Sequence, residues 1–328
     1  MFLTTLPIED AVGHILRHNI ADAQGHKAFA KGRRLRAEDL PRLRTLDIEQ
    51  VRVAVLEAGD VHEDEAARRL GDAVCGANVI AGAPAASRVN LLAATDGIVA
   101  VNTYALDRIN DIDGLTIATL PHHALVRARK RIATIKIIPF AVLETDLAQA
   151  EAIAHDHGLV LAVRPLRRHD VGVILVGSPA ARERIERGVY PAIEGRVTDL
   201  GSHVLGVRYV TSDEHAVADA IRDLQHSGAQ LLIIAGETSI MDRDDVTPSG
   251  IRDAGGRIEH YGAPVEPGNL LLLAYIDEPN GALPIIGAPG CVRSRSVNIV
   301  DLLLPRLLAG EHVSRRDIVA LGHGGLLE

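Results

Sequence analysis

The chain has 328 residues, a formal charge of −8, 47% apolar residues, 2% aromatics and no tryptophan. That length predicts two or three domains with real cores. The acidic, aromatic-poor composition argues against nucleic acid and anionic membranes as partners.

No apolar run approaches the roughly 20 residues that span a bilayer. The first residues, from Met1 to Asp10, lack the basic start of a secretory signal. Two cysteines, Cys75 and Cys291, make no disulfide framework, so a cytoplasmic location is expected. In chain order, Ile8, Val12, Ile15 and Leu16 fall on one stripe and predict an amphipathic helix over 1–20. A turn at Lys31-Gly32-Arg33-Arg34-Leu35 leads to a short helix, Ala37 to Leu46, and a strand, Val51 to Leu56. A helix then runs from Asp60 to about Val74, with Glu63, Asp64 and Glu65 at its positive end.

Between 78 and 142 short alternating runs separated by turn residues predict a β-rich module. A helix over 146–157, a strand over 159–163 and a linker over 164–170 follow. From Val171 strands and helices alternate. Strands are expected at 171–176, 204–210, 231–235, 270–276 and 283–286; helices at 180–187, 213–227, 246–254 and 293–308. Alternation of this kind implies a mostly parallel sheet with helices on both faces. The fold class is therefore α/β: an N-terminal α+β region over 1–77, a β-rich, barrel-like module with its connecting helix over 78–165, a three-layer α/β/α domain over 170–310, and a tail over 311–328.

The chemistry concentrates in two loops of the last domain. The first, Gly236-Glu237-Thr238-Ser239-Ile240-Met241-Asp242-Arg243-Asp244-Asp245-Val246, leaves an apolar strand. Ligands in open α/β sheets bind beyond the strands' carboxyl ends. Hydroxyls and amides there hold an oxyanion, and clustered carboxylates hold a hard cation. The competing reading is a solvated loop whose acids cap the next helix. The second loop, Gly287-Ala288-Pro289-Gly290-Cys291-Val292-Arg293-Ser294-Arg295-Ser296, also follows a strand. Free amides at a helix start attract anions, and arginines pair with phosphate; an ordinary turn with solvated arginines is the alternative. Cys291 beside Arg293 is placed for a lowered thiol pKa, although such a cysteine is more often a packing residue. The acids around His62 are explained as well by the helix start as by a metal, and His122-His123 reads as surface. P-loop, nucleophile-elbow, Gly-x-Gly-x-x-Gly and Cys-x-x-Cys patterns are missing.

The first loop resembles the Gly-Gly-x-Ser-x-Gly-(Asp/Glu)-x-Asp-Tyr segment of the molybdopterin-binding domain found in molybdopterin molybdotransferases and the gephyrin E domain. Val265-Glu266-Pro267-Gly268-Asn269 sits where that family carries Lys-Pro-Gly-Lys, and Gly287-Ala288-Pro289-Gly290-Cys291 where it carries Gly-Leu-Pro-Gly-Asn. Upstream, Glu9 to Leu16 looks like the family's opening Ala-x-Gly-Arg-x-Leu. The resemblance implies a role in molybdenum cofactor biosynthesis, with molybdenum passing from molybdate into adenylylated molybdopterin with Mg²⁺. It implies that Asp242 and Asp244 act at the metal or molybdate, with Asp245 as a third metal ligand. Gly236, Glu237, Thr238, Ser239, Gly268, Gly287, Pro289, Gly290, Cys291, Arg293 and Arg295 would line the pterin phosphate site. It also implies a cytoplasmic homodimer and contact with other cofactor-biosynthesis enzymes or molybdoenzymes.

The departures are specific. Glu237 replaces the second glycine, and Glu266 and Asn269 replace both lysines. These losses favour an alternative, a non-catalytic carrier that passes the pterin to a partner, with Arg293 and Arg295 restoring positive charge. A different small-molecule enzyme on the same sheet, such as a nucleotide pyrophosphatase of the competence-damage type, is a third reading, since topology alone does not choose.

Overall fold

The computed structural model describes residues 1–156, 158, 160–279 and 281–327. The chain divides into two compact units, Met1–Arg164 and Pro165–Glu328. Among the described residues, no helix is long and apolar enough to cross a membrane.

The first unit departs from the sequence reading at its start. The helix expected over 1–20 is absent. Phe2–Pro7 is a strand, antiparallel to Gln50–Val55, and Ile15–Leu16 pairs with the same strand. Pro7 and Gly13 interrupt the stretch, so it bends back on itself, and Ile8, Ala11 and Leu16 reach one small core with Phe29, Leu35 and Val53. The apolar spacing was real, but a turn rather than a helix produced it. The β-rich expectation for the middle of the chain holds: among the described residues its strands enter three small sheets. One is four-stranded and antiparallel, with Arg131–Ile137 and Arg88–Ala93 at its centre. The helices Glu63–Val74 and Glu144–Asp156 share its core, through Leu70, Val74, Leu147 and Ala150. A helix missed in the sequence, Thr103–Asn110, is started by Asn102, whose side chain accepts from the Ala105 amide. Residues 157 and 159, the expected end of one helix and start of one strand, lie outside the described residues, as does residue 328 of the tail.

The second unit is built on a six-stranded sheet. Its order is His203–Val210, Asp170–Val176, Leu231–Gly236, Gly281–Gly287, Leu272–Glu278, Arg257–Tyr261. The first four strands are mutually parallel; Leu272–Glu278 runs antiparallel to its neighbours. The side chains of a strand alternate between faces, and both faces here are covered. Val171, Val173, Leu175, Leu231 and Ile233 pack with Ile193, Val197, Ile299 and Leu303 on one side. Ile174, Val176, Leu232, Ile234 and Ile285 pack with Val217, Ile221, Leu224 and Ile251 on the other. This is a three-layer α/β/α arrangement, and each of these buried aliphatic side chains contributes about 1.5–3 kcal/mol.

Two elements here were not read from the sequence: the helix Tyr190–Asp199 and the edge strand Arg257–Tyr261. The last long helix was placed too early. It starts at Ile299, because Asn298 accepts from the Val300 amide while Asp301 accepts from the Asn298 amide, a reciprocal cap. Residues 290–293 form only a single 3₁₀ turn. The segment 311–328 carries the helix Arg315–Ala320, with Val313 and Ile318 fully buried.

Candidate functional site

Asp170–Val176 has Leu231–Gly236 on one side and His203–Val210 on the other. The connection after Asp170–Val176 leads to His203–Val210 on one side, whereas that after Leu231–Gly236 leads the other way, to Arg257–Tyr261, so the loops beyond these two carboxyl ends part and open a crevice. A cavity of 180 Å³ lies there, lined by Val176, Ser212, Gly236, Thr238, Ser239, Ile240, Met241, Asp245, Val246 and Thr247. The first predicted loop therefore forms its wall. The second loop meets the first directly: the Gly290 amide donates to Ser239 Oγ at 3.1 Å. A Cβ at Gly290 would sit 2.9 Å from Ser239 Oγ and 3.2 Å from Arg293 Nη2. Only glycine lets the two loops and Arg293 approach so closely.

Glu237, which stands where a ligand phosphate is expected, turns away from the Ser239 side. Its carboxylate accepts from the Ser178 amide at 3.1 Å, from Ser178 Oγ at 3.0 Å and from Arg184 at 2.6 Å. The two Ser178 bonds and then Arg184 outweigh burial and hold its pKa below the ordinary carboxylate value. Neither Ser178 nor Arg184 was singled out in the sequence, because both follow a different strand.

The three aspartates do not converge. Asp245 Oδ2 accepts from the Met241 and Asp242 amides at 2.6 and 3.0 Å, and Asp242 Oδ1 accepts from the Asp244 amide at 2.9 Å. Asp244 is exposed, 3.7 Å from Arg252. The Asp245 and Asp242 carboxylates fix the turn that precedes the helix Val246–Asp253; Asp245 stands at the N-cap, but its side chain accepts no amide of the helix start. Among the described residues, the one trio of metal-capable side chains with ligand atoms within 4.8 Å of one another is Glu214, His215 and Asp253, all exposed and outside both loops. A three-aspartate Mg²⁺ cage does not fit this loop.

The second loop is organised from beneath by Arg196, a buried arginine of the unpredicted helix Tyr190–Asp199. Its guanidinium donates to the carbonyls of Val292 at 3.0 Å, Ser294 at 2.8 Å and Ser296 at 3.0 Å, and to Asp301 at 2.9 Å. Arg293 donates to the Gly290 carbonyl at 2.7 Å and stays beside Ser239. Arg295 is drawn the other way, onto Gly195 and toward Asp199 at 4.0 Å. Burial raises the Cys291 thiol pKa and outweighs the opposing pull of its backbone hydrogen bond and Arg196, the direction that goes with a packing residue rather than with a lowered thiol pKa. The third segment also lies close by, since the Glu266 charge acts on Cys291 and the Ile299 amide donates to the Pro267 carbonyl at 3.2 Å. Gly268 has φ +141, and a Cβ there would lie 2.5 Å from Ile299. Packing against the helix start accounts for this glycine. Gly236 and Gly287 end their strands at the rim, and Pro289 precedes the 3₁₀ turn.

Residues 5–55 match a family described as "Domain of unknown function (DUF8806)". No curated protein matches the chain in sequence. Among solved structures, similarity is found to the tungsten cofactor synthesizing protein MoaB from Pyrococcus furiosus, with 17% identity, a TM-score of 0.31, and coverage of 43% of this chain and 91% of that one. The molybdopterin biosynthesis Mog protein from Mycobacterium ulcerans shows 17% identity and a TM-score of 0.26, over 42% of this chain and 92% of its own. A molybdenum cofactor biosynthesis protein from Pyrococcus furiosus aligns with 94% of this chain and 61% of its own length, at 12% identity and a TM-score of 0.22. Residues 172–309 match the family described as "Probable molybdopterin binding domain".

Proposed function

We propose that the second unit binds molybdopterin at the mouth formed by the 236–247 and 287–296 loops, and holds it for transfer to another protein of molybdenum cofactor biosynthesis. The observation that carries this reading is the Gly290–Ser239 hydrogen bond beside the 180 Å³ cavity. It joins, in one place, the two loops that resemble the family's ligand-binding segments. Thr238, Ser239 and the Gly290 turn supply hydroxyl and amide donors for the ligand phosphate, and Arg293 supplies charge. Ser178 and Arg184 keep the Glu237 carboxylate off that phosphate. Such a cavity is smaller than the roughly 300–1,000 Å³ of drug-sized sites. It receives the phosphate end, and the pterin rests across the loops.

The second reading is molybdate insertion into adenylylated molybdopterin, with Asp242 and Asp244 acting on Mg²⁺ or molybdate and Asp245 assisting. It is favoured by the exposure of Asp242 and Asp244 at the loop surface. It is disfavoured by the turn hydrogen bond that the Asp242 carboxylate accepts from the Asp244 amide and by the loss of both family lysines, at Glu266 and Asn269. One assay separates the two. The protein is mixed with adenylylated molybdopterin, molybdate and Mg²⁺, and AMP is measured. Tight binding without AMP supports the carrier; AMP release that fails in Asp242→Asn establishes the enzyme. No binding of either pterin form overturns both.

A further inference from the structure

A second cavity of 200 Å³ lies in the same unit, and it shares no lining residue with the first. Arg243, Arg252 and Arg315 line it, with His260, Tyr261 and Glu259. We propose that this cavity is a separate binding site for a dianionic phosphoryl group, either free phosphate or the phosphate of a monoester.

The charge balance carries the argument. Glu259, the one carboxylate in the lining, is already engaged: it accepts from Arg257 at 2.6 Å and from the Arg315 amide at 2.9 Å. Arg252 has only Asp244 nearby, at 3.7 Å, and one of its nitrogens donates to the Arg243 carbonyl at 2.6 Å. Among the described residues, the guanidiniums of Arg243 and Arg315 have no carboxylate within ion-pair distance. Three guanidiniums thus share one concavity without enough negative charge to offset them. Their field reaches inward: burial first, then Arg315 and Arg243, lowers the pKa of the His260 ring. A small dianion is the ligand that balances this arrangement, because each planar guanidinium offers paired donors to phosphoryl oxygens. A cavity of 200 Å³ is small enough for that group to fill, and the remainder of a monoester would lie outside it.

The site is coupled to the first loop without belonging to its cavity. Arg243 is a residue of that loop, and Tyr261 donates to the Ile240 carbonyl at 2.9 Å. An anion held here would pin residues 240–243 from the side opposite Ser239. The proposal does not rest on the pterin reading.

Titration calorimetry of the full chain with sodium phosphate, at constant ionic strength set by chloride, tests it. The wild type is expected to give saturable binding. Arg243→Gln and Arg315→Gln should each weaken it tenfold or more, and Arg187→Gln, at an exposed arginine that lines neither cavity, should leave it unchanged. A parallel measurement needs no variant: phosphate should protect Arg243 and Arg315 from an arginine-specific dicarbonyl reagent, read by peptide mass. Glycerol phosphate in place of phosphate tells a monoester site from a free-ion site. Absence of saturable binding in the wild type, or equal weakening by Arg187→Gln, overturns the proposal. Dicarbonyl modification of Arg243 and Arg315 that phosphate does not slow overturns it as well.

Discussion

Arg196→Met tests whether one buried cation sets the shape of the second loop. Arg196 has 7% of its surface exposed and donates to three loop carbonyls and to Asp301. Methionine fills the volume but leaves those acceptors without a donor. Breaking a buried ion pair by removing one partner costs about 3–5 kcal/mol. Asp301 keeps 30% of its side chain exposed and is partly rehydrated, so the lower end, about 3 kcal/mol, is expected. With a urea slope of about 1–3 kcal/mol per molar, the unfolding midpoint should fall by about 1–3 M. Arg196→Lys should recover only part of this, because an ammonium keeps the charge but cannot fork to several carbonyls. Hydrogen exchange should quicken at the Ser294 amide, which donates to Cys291, and at the Ser296 amide, which donates to Ser294 Oγ. An unchanged midpoint with unchanged exchange in residues 292–298 would refute the account of Arg196 as the organiser of this loop.

Three further outcomes follow from the same geometry. Ser239→Ala removes the acceptor of the Gly290 amide; the cost is about 1 kcal/mol, read as roughly fivefold faster exchange of that amide. Gly268→Ala meets Ile299 at 2.5 Å in a backbone conformation that L side chains avoid. Thermal unfolding should show a loss of about 2–5 kcal/mol. Asp317 provides a pH dependence: burial pushes its pKa up, but the hydroxyl and amide of Ser314 and then Arg306 outweigh this and hold it at about 2, against an ordinary 3.8. A carboxylate with a lowered folded pKa stabilises above its unfolded value, and that stability fades as pH falls from 3.8 toward about 2. The contribution is on the order of 1–2 kcal/mol after screening, since 36% of the side chain is exposed. Asp317→Asn should therefore lower the urea midpoint at neutral pH and match the wild type near the folded pKa; a gap independent of pH would contradict the assignment.

How far the sequence reveals this protein depends on whether a feature is local. The strands at 171–176 and 231–235 were legible because a strand buried on both faces must be apolar throughout, and nothing distant changes that. The two loops were legible for a related reason: the chain changes from apolar to glycine, hydroxyl and charge at a strand's carboxyl end. The helix expected over 1–20 failed because Ile8, Val12, Ile15 and Leu16 satisfy a helical stripe and a folded-back turn equally well, and pairing with Gln50–Val55 decided between them. What the loops do with their side chains was not legible. Whether Glu237 blocks a phosphate or turns aside depends on Ser178 and Arg184, more than fifty positions earlier. Whether Arg293 or Arg295 serves the Ser239 mouth depends on Gly195 and Asp199, which capture Arg295 alone. The substitutions that set this chain apart from its family are therefore not simple losses. The carboxylate at 237 is accommodated by partners in another loop, and the charge carried elsewhere by lysines falls here to a single arginine. A binding surface survives that exchange more readily than a reaction centre does, because orienting a phosphate requires donors and shape, whereas transferring a metal requires several groups converging on one point.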